Sequence, residues 1–180
     1  MVLVRSRERV SDLGEVFTPE HIVKEMHDLL PPEKWAERDM VYLEPTCGNG
    51  QFLVQAVRMK MDSGLTPEQA VNTVFGLDIM QDNIEESRKR VLEVVLERLK
   101  RQKKGKQGKR LERMACMIVN NIIRVKDSLD YIAREGRFTS LWDEKPFFDS
   151  DPTGNKMVLP KYERRGVEAK AKEMVRKVGN

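Results

Sequence analysis

Cysteine is scarce in this chain. Its 180 residues hold two, Cys47 and Cys116, far apart and in no CxxC pair, so neither a disulfide framework nor a zinc knuckle is indicated. Long apolar runs are missing as well. No stretch approaches the roughly 20 residues of a spanning helix, which excludes a membrane protein. The opening MVLVRSRERV lacks the apolar core of a signal peptide, so the cytosol is the expected compartment. The two histidines, His21 and His27, fall on different faces of one helical stretch, a spacing unsuited to a shared metal site. Internal repeats are absent. What the chain has in quantity is charge, 34% of residues against roughly 25% in an average domain. The net charge of +4 hides an asymmetry, because segment 98–113, RLKRQKKGKQGKRLER, carries nine Lys or Arg and one Glu. Such a run either meets phosphates or stands as a solvated loop between helices. No aromatic is interleaved with it, so base stacking by this segment is not supported.

The length suits one domain plus an appendage, large enough to bury a core without metals or disulfides. After a polar arm over residues 1–16, Thr18 and Pro19 read as N-cap and first position of a helix running to about Leu30. Its stripe is Ile22, Val23, Met26, Leu29 and Leu30, and Pro31 and Pro32 end it. Val41–Glu44 reads as a strand, Gly50–Met61 as a helix, and Pro67 opens another short helix before a strand at Val74–Ile79. Asp82 and Glu85 match a capping box for a helix to about residue 101, with Glu85–Lys89 and Glu86–Arg90 as surface pairs. Leu111–Val119 reads as a helix stopped at Asn120 and Asn121, and Ile122–Val125 as a third strand. Strands alternating with helices predict an α/β fold with a parallel sheet. Past Asp127 the pattern reads as loop, and residues 166–178 as a polar helix docked by Val167, Met174, Val175 and Val178.

The informative cluster is Glu44, Pro45, Thr46, Cys47, Gly48, Asn49, Gly50, placed directly after a strand and opening a helix. Glycines let backbone amides approach a ligand, and an acid at a strand end accepts hydrogen bonds from an amine or hydroxyl. An ordinary tight strand-to-helix turn would look the same if nothing else supported the reading. Two further acids do support it: Asp78 ends the second strand and Asp127 follows the third. In open α/β sheets ligands lie outside the carboxyl ends of the strands, so Glu44 and Asp78 are expected to flank one crevice, with Asp78 gripping both hydroxyls of a ribose. Cys47, with no histidine nearby in sequence, reads as a small turn residue rather than a nucleophile. The ten methionines read as core filling.

Four segments in this order, GEVFTP (Gly14–Pro19), EPTCGNG, GLDI and KDSL, resemble the S-adenosylmethionine-dependent DNA methyltransferases that modify adenine at N6. The likeness covers residues 12–130 and is to the subgroup with an N-terminal motif, which includes modification subunits of restriction systems and phage enzymes. It implies a Rossmann-like sheet, incomplete in this chain, with helices on both faces, and a methyltransferase domain over residues 17–150 followed by a polar tail or helix over 151–180. It also implies bacterial or phage-infected cytoplasm. By the resemblance Phe17 and Thr18 line the cofactor pocket, and Glu44 orients the methionine amino group. Pro45 and Cys47 belong to the loop whose Gly48 and Gly50 bring the backbone close. Asp78 holds the ribose, Ile79 packs on the cofactor adenine, and Asp127 accepts from its exocyclic amine beside Ser128 and Leu129.

One part of the family pattern is missing. The Asn/Asp-Pro-Pro-aromatic tetrapeptide that polarises the target amine and stacks the flipped base is not found; KPFF at Lys145–Phe148 and the residues around Asp151 and Pro152 are the nearest candidates. Trp142, Phe147 or Phe148 could stack a base, but no residue is assigned as catalytic. A complete sheet of the family has more than three strands, so a partner chain or second copy is expected to complete the site, with DNA met by segment 98–113. A noncatalytic module that binds S-adenosylmethionine, and a plain nucleic-acid-binding protein, are the competing readings.

Overall fold

The computed structural model describes residues 4–102, 107–135 and 161–179. In chain order the elements are α1 (Arg7–Leu13), α2 (Glu20–Asp28), α3 (Pro32–Ala36), β1 (Tyr42–Glu44), α4 (Gln51–Asp62), α5 (Pro67–Asn72), β2 (Val74–Asp78), α6 (Gln81–Gln102), α7 (Gln107–Asn121), β3 (Ile122–Arg124), α8 (Ser128–Glu135) and α9 (Lys161–Gly179). The strands form a parallel sheet in the order β1-β2-β3, with Glu44 opposite Gly76 and Asp78 opposite Arg124. Parallel neighbours cannot be joined by a hairpin, so α4 with α5, and then α6 with α7, serve as the two crossovers. All three strands therefore end at one edge.

Local chemistry sets the helix limits. Gly50, at φ +82°, turns the chain out of the loop into α4, a conformation that suits a residue without a Cβ. Thr66 and Gln69 form a reciprocal capping box at α5, with Pro67 in the first turn. Ser6 caps α1 by accepting from the Arg9 N–H, and Gly14 closes it in the left-handed region. The core lies between the sheet and a helix layer. Leu53 and Val57 of α4, Leu92, Val95 and Leu99 of α6, and Met114 and Ile118 of α7 pack with Val74 and Ile122. Full burial of each large apolar side chain contributes about 1.5–3 kcal/mol. α9 lays Val167, Ala171, Met174, Val175 and Val178 on this layer, so the four docking residues expected from the sequence do face the core.

Several expectations are corrected. α2 begins at Glu20 with Pro19 in the cap position and no side-chain cap, so Thr18 does not serve as N-cap. Its stripe also shifts: Val23 and His27 are buried, whereas Met26, Leu29 and Leu30 are exposed, because the helix ends at Asp28 and meets its neighbour through one i,i+4 pair. The Pro31–Pro32 stop is also a start, since Pro32 opens α3 and Trp35 is buried behind it. Asp82 faces Arg9 and Arg5 rather than forming a box with Glu85, which takes the Gln81 amide instead. Lys89 lies 3.8 Å from Glu93, and Glu86 meets Arg5. Ser128–Glu135, read as loop, is helical. Val74, Gly76 and Ile122 face the helix layer, while Leu43, Phe75 and Ile123 on the opposite face are half-buried. On that opposite face Leu77, paired with Ile123, is nevertheless 1% exposed. The candidate stretches around Trp142, Lys145–Phe148 and Asp151 lie outside the described residues.

Candidate functional site

The loop between β1 and α4 is stitched to the end of β2. The Cys47 N–H donates to the Leu77 carbonyl at 2.8 Å, and the Gly48 N–H donates to Asp78 Oδ2 at 2.8 Å. Asp78 Oδ1 accepts from the Met80 N–H at 2.8 Å and from Asn83 Nδ2 at 3.2 Å. A carboxylate offers about four acceptor positions, so three are filled and one, on Oδ2, is left. Asp78 therefore holds the loop and has room for a single further donor; a grip on two hydroxyls requires one of these bonds to open.

Two glycines are tight fits. A Cβ on Gly48, at φ +50°, would lie 3.3 Å from the Phe17 ring, and one on Gly50 would lie 2.8 Å from the Ser87 Cα. Phe17 is accordingly buried against the loop, with the Arg5 guanidinium 5.5 Å from its ring centroid. Gly76 serves the same closeness from below, where a Cβ would meet Leu53 at 2.6 Å and Cys47 at 3.2 Å. The Cys47 side chain thus points to the core near Gly76 and Ser87, not to a cleft. Burial, with the Asp78 charge beside it, pushes its thiol up to about 12, which removes any nucleophile role at neutral pH.

At the strand ends, Glu44 is half-buried and accepts from the Thr46 N–H and hydroxyl, both at 3.4 Å. Burial raises its carboxyl above the ordinary range, and the Thr46 bonds offset this in part. Asp127 accepts from the Asp130 N–H at 3.0 Å and so caps α8. It lines a cavity of about 340 Å³ with Ile123, Arg124, Lys126 and Tyr131. Ile79 and Leu129 are 44% and 76% exposed, two apolar side chains open to solvent beside the acids. Thr18 and Ser128 are half-buried, and Pro45 likewise. Phe17, Gly48 and Asp78 are therefore joined by direct contacts and Gly50 packs on Ser87, while Glu44, Ile79 and Asp127 share the sheet edge.

The sequence reading missed the support behind the loop. Asn83, Ser87 and Arg90 lie at i, i+4 and i+7 of α6 and contact Asp78, the Gly48 carbonyl at 2.7 Å and the Asn49 carbonyl at 2.9 Å. Arg90 also bonds Gln51 at 2.8 Å. The signal was present as a polar row at helical spacing beside the apolar stripe of Ile84, Val91 and Val95. Two carboxylates beside a glycine loop favour amines and hydroxyls over phosphates, whose charge they would repel. Among the described residues no cluster of His, Cys, Asp and Glu is placed to hold a metal ion, and no helix is long and apolar enough to cross a membrane.

The glycine loop and two acids thus lie at the strand ends of a parallel sheet, the edge at which open α/β sheets bind their ligands. Residues 3–150 match the family described as N-6 DNA methylase, and the chain belongs to that family. It is also similar to the Type II methyltransferase M.VspI of Vibrio sp. (strain 343), with 31% identity over 81 residues, 45% of this chain. That stretch spans only 17% of the Vibrio enzyme. No solved structure matches.

Proposed function

We propose that the chain is the S-adenosylmethionine-binding part of a DNA adenine-N6 methyltransferase. Family membership supports methylation of DNA, and family members generally use this cofactor. The observation that carries the reading is the bond between Gly48 and Asp78, which ties the glycine loop to the acid of the neighbouring strand at the common sheet edge. The donor set fits the cofactor. Glu44 suits the methionine ammonium, the remaining acceptor of Asp78 suits a ribose hydroxyl, and Ile79 and Leu129 offer apolar cover for the adenine near Asp127. Phe17 and Thr18 close the side next to Gly48, and Ser128 lies by Asp127 at the start of α8. Pro45 and Cys47 shape the loop. S-adenosylmethionine supplies the activated methyl group when bound.

The sequence holds no Asn/Asp-Pro-Pro-aromatic tetrapeptide, so methyl transfer is proposed only for an assembly in which a different chain supplies that group. The same observation favours a second reading, a module that binds the cofactor without transferring its methyl group. Calorimetry with S-adenosylmethionine tests the cleft, and Asp78→Ala is expected to lower affinity at least tenfold, about the loss of one hydrogen bond to a charged group. Unchanged binding in that variant refutes the assignment. Tritiated methyl incorporation into unmethylated DNA then separates the readings, since label in DNA excludes the inert module and tight binding without label supports it.

A further inference from the structure

Asn83 is 1% exposed, and its side chain makes three hydrogen bonds to charged groups among the described residues. Its Oδ1 accepts from Arg5 Nε at 3.0 Å, and its Nδ2 donates to Glu15 Oε1 at 2.7 Å and to Asp78 Oδ1 at 3.2 Å. Flipping this amide would set its oxygen against two carboxylates and its NH₂ against a guanidinium, so the surrounding charges determine its orientation. Glu15 is held in turn by Arg9 at 2.7 Å, and Arg9 and Arg5 both pair with Asp82 on the first turn of α6. The chain of contacts thus runs from the N-terminal segment through Glu15 and Asn83 to Asp78 and on to the Gly48 amide. It joins residues 68 positions apart.

We infer that Glu15 and Asn83 are positioning residues for the nucleoside cleft, through which the segment Arg5–Glu15 sets the orientation of Asp78. With the Met80 N–H and the Asn83 amide on Oδ1 and the Gly48 N–H on Oδ2, the carboxylate cannot rotate without losing a bond. Its remaining acceptor therefore faces one direction. That preorganisation is what a ribose hydroxyl reads. The inference rests on the cleft proposed above and gives Glu15 of GEVFTP a task separate from that of Phe17 and Thr18.

The test compares affinity for S-adenosylhomocysteine with affinity for its 2′-deoxy and 3′-deoxy analogues, measured by calorimetry on the full chain. The wild-type protein is expected to prefer the fully hydroxylated ligand over one of the analogues by about tenfold. Asn83→Ser and Arg5→Ala should cut that preference at least roughly threefold, a coupling of the size seen between neighbouring groups. A structural defect would weaken all three ligands alike. Arg5 is partly exposed, so Arg5→Ala decides the matter if Asn83→Ser fails to fold. Equal losses for every ligand, or an unchanged preference, overturn the relay. If Asp78→Ala leaves S-adenosylhomocysteine binding intact, the cleft itself falls; if Asp78→Ala removes the preference and Arg5→Ala keeps it, only the relay falls.

Discussion

Gly50 meets two constraints at once, a left-handed φ of +82° and a Cβ position 2.8 Å from backbone of α6. Gly50→Ala should therefore cost roughly 2–4 kcal/mol, the sum of overpacking and left-handed strain, read as a shifted urea midpoint. A cost near zero would mean that the loop does not lie against Ser87. His27 shows a different residue-scale effect. It stacks on Trp35 and Tyr42 with centroids 5.3 Å apart and bonds the Val23 carbonyl through Nδ1 at 2.7 Å. Burial, only partly offset by backbone carbonyls, lowers its pKa from 6.5. Between 6.5 and that lowered value the unfolded chain binds more protons than the folded one, so stability drops as pH falls through this window. His27→Phe is expected to flatten the decline in thermal midpoint between pH 7 and pH 5, and an equally steep decline in the variant would point to other groups.

At the scale of elements, α4 carries a buried cation in its core-facing side. Lys60 is inaccessible to solvent and donates to the Met40 carbonyl, and burial lowers its pKa to about 8. From about 8 up to the ordinary 10.5 the unfolded state holds the extra proton, so this group adds stability as pH rises. Lys60→Met should raise the midpoint at pH 7, and its advantage should shrink by pH 10; a constant advantage would contradict the sign. The three strands were legible because Val74–Asp78 and its neighbours are short apolar runs between helical patterns and turn residues. α1 was not legible, for it buries no side chain and is held by Arg5 and Arg9 against residues of α6 far along the chain. α3 was hidden because a proline pair reads as a stop whether or not a helix follows. Of the site, the loop and the strand-end acids could be read locally. The Glu15–Asn83–Asp78 contacts could not, since nothing in local spacing pairs a residue of the arm with a polar position on α6.

On the whole-molecule scale the basic stretch looks different from its sequence. Arg98 pairs with Asp62, Arg101 with Glu97, and Arg110 with Glu68 at 2.8 Å, so three of its cations are turned to acids of the same chain. Two long helices contain most of it. A nucleic-acid interface built on this segment alone is correspondingly weakened. The far side of the molecule depends on α9, whose Ala171 is 1% exposed. Ala171→Glu would bury an unpaired carboxylate there and should cost roughly 2–4 kcal/mol. Lower thermal midpoints and faster proteolysis within α9 would register it, and wild-type resistance would show that the helix is not seated.

Because α6 grips the loop from behind at Asn83, Ser87 and Arg90, the heptapeptide EPTCGNG is not a portable cassette. Grafted onto another strand–helix junction it would arrive without its scaffold, and a designer would have to transplant those three side chains, and the glycine at position 76 beneath them, in the same step.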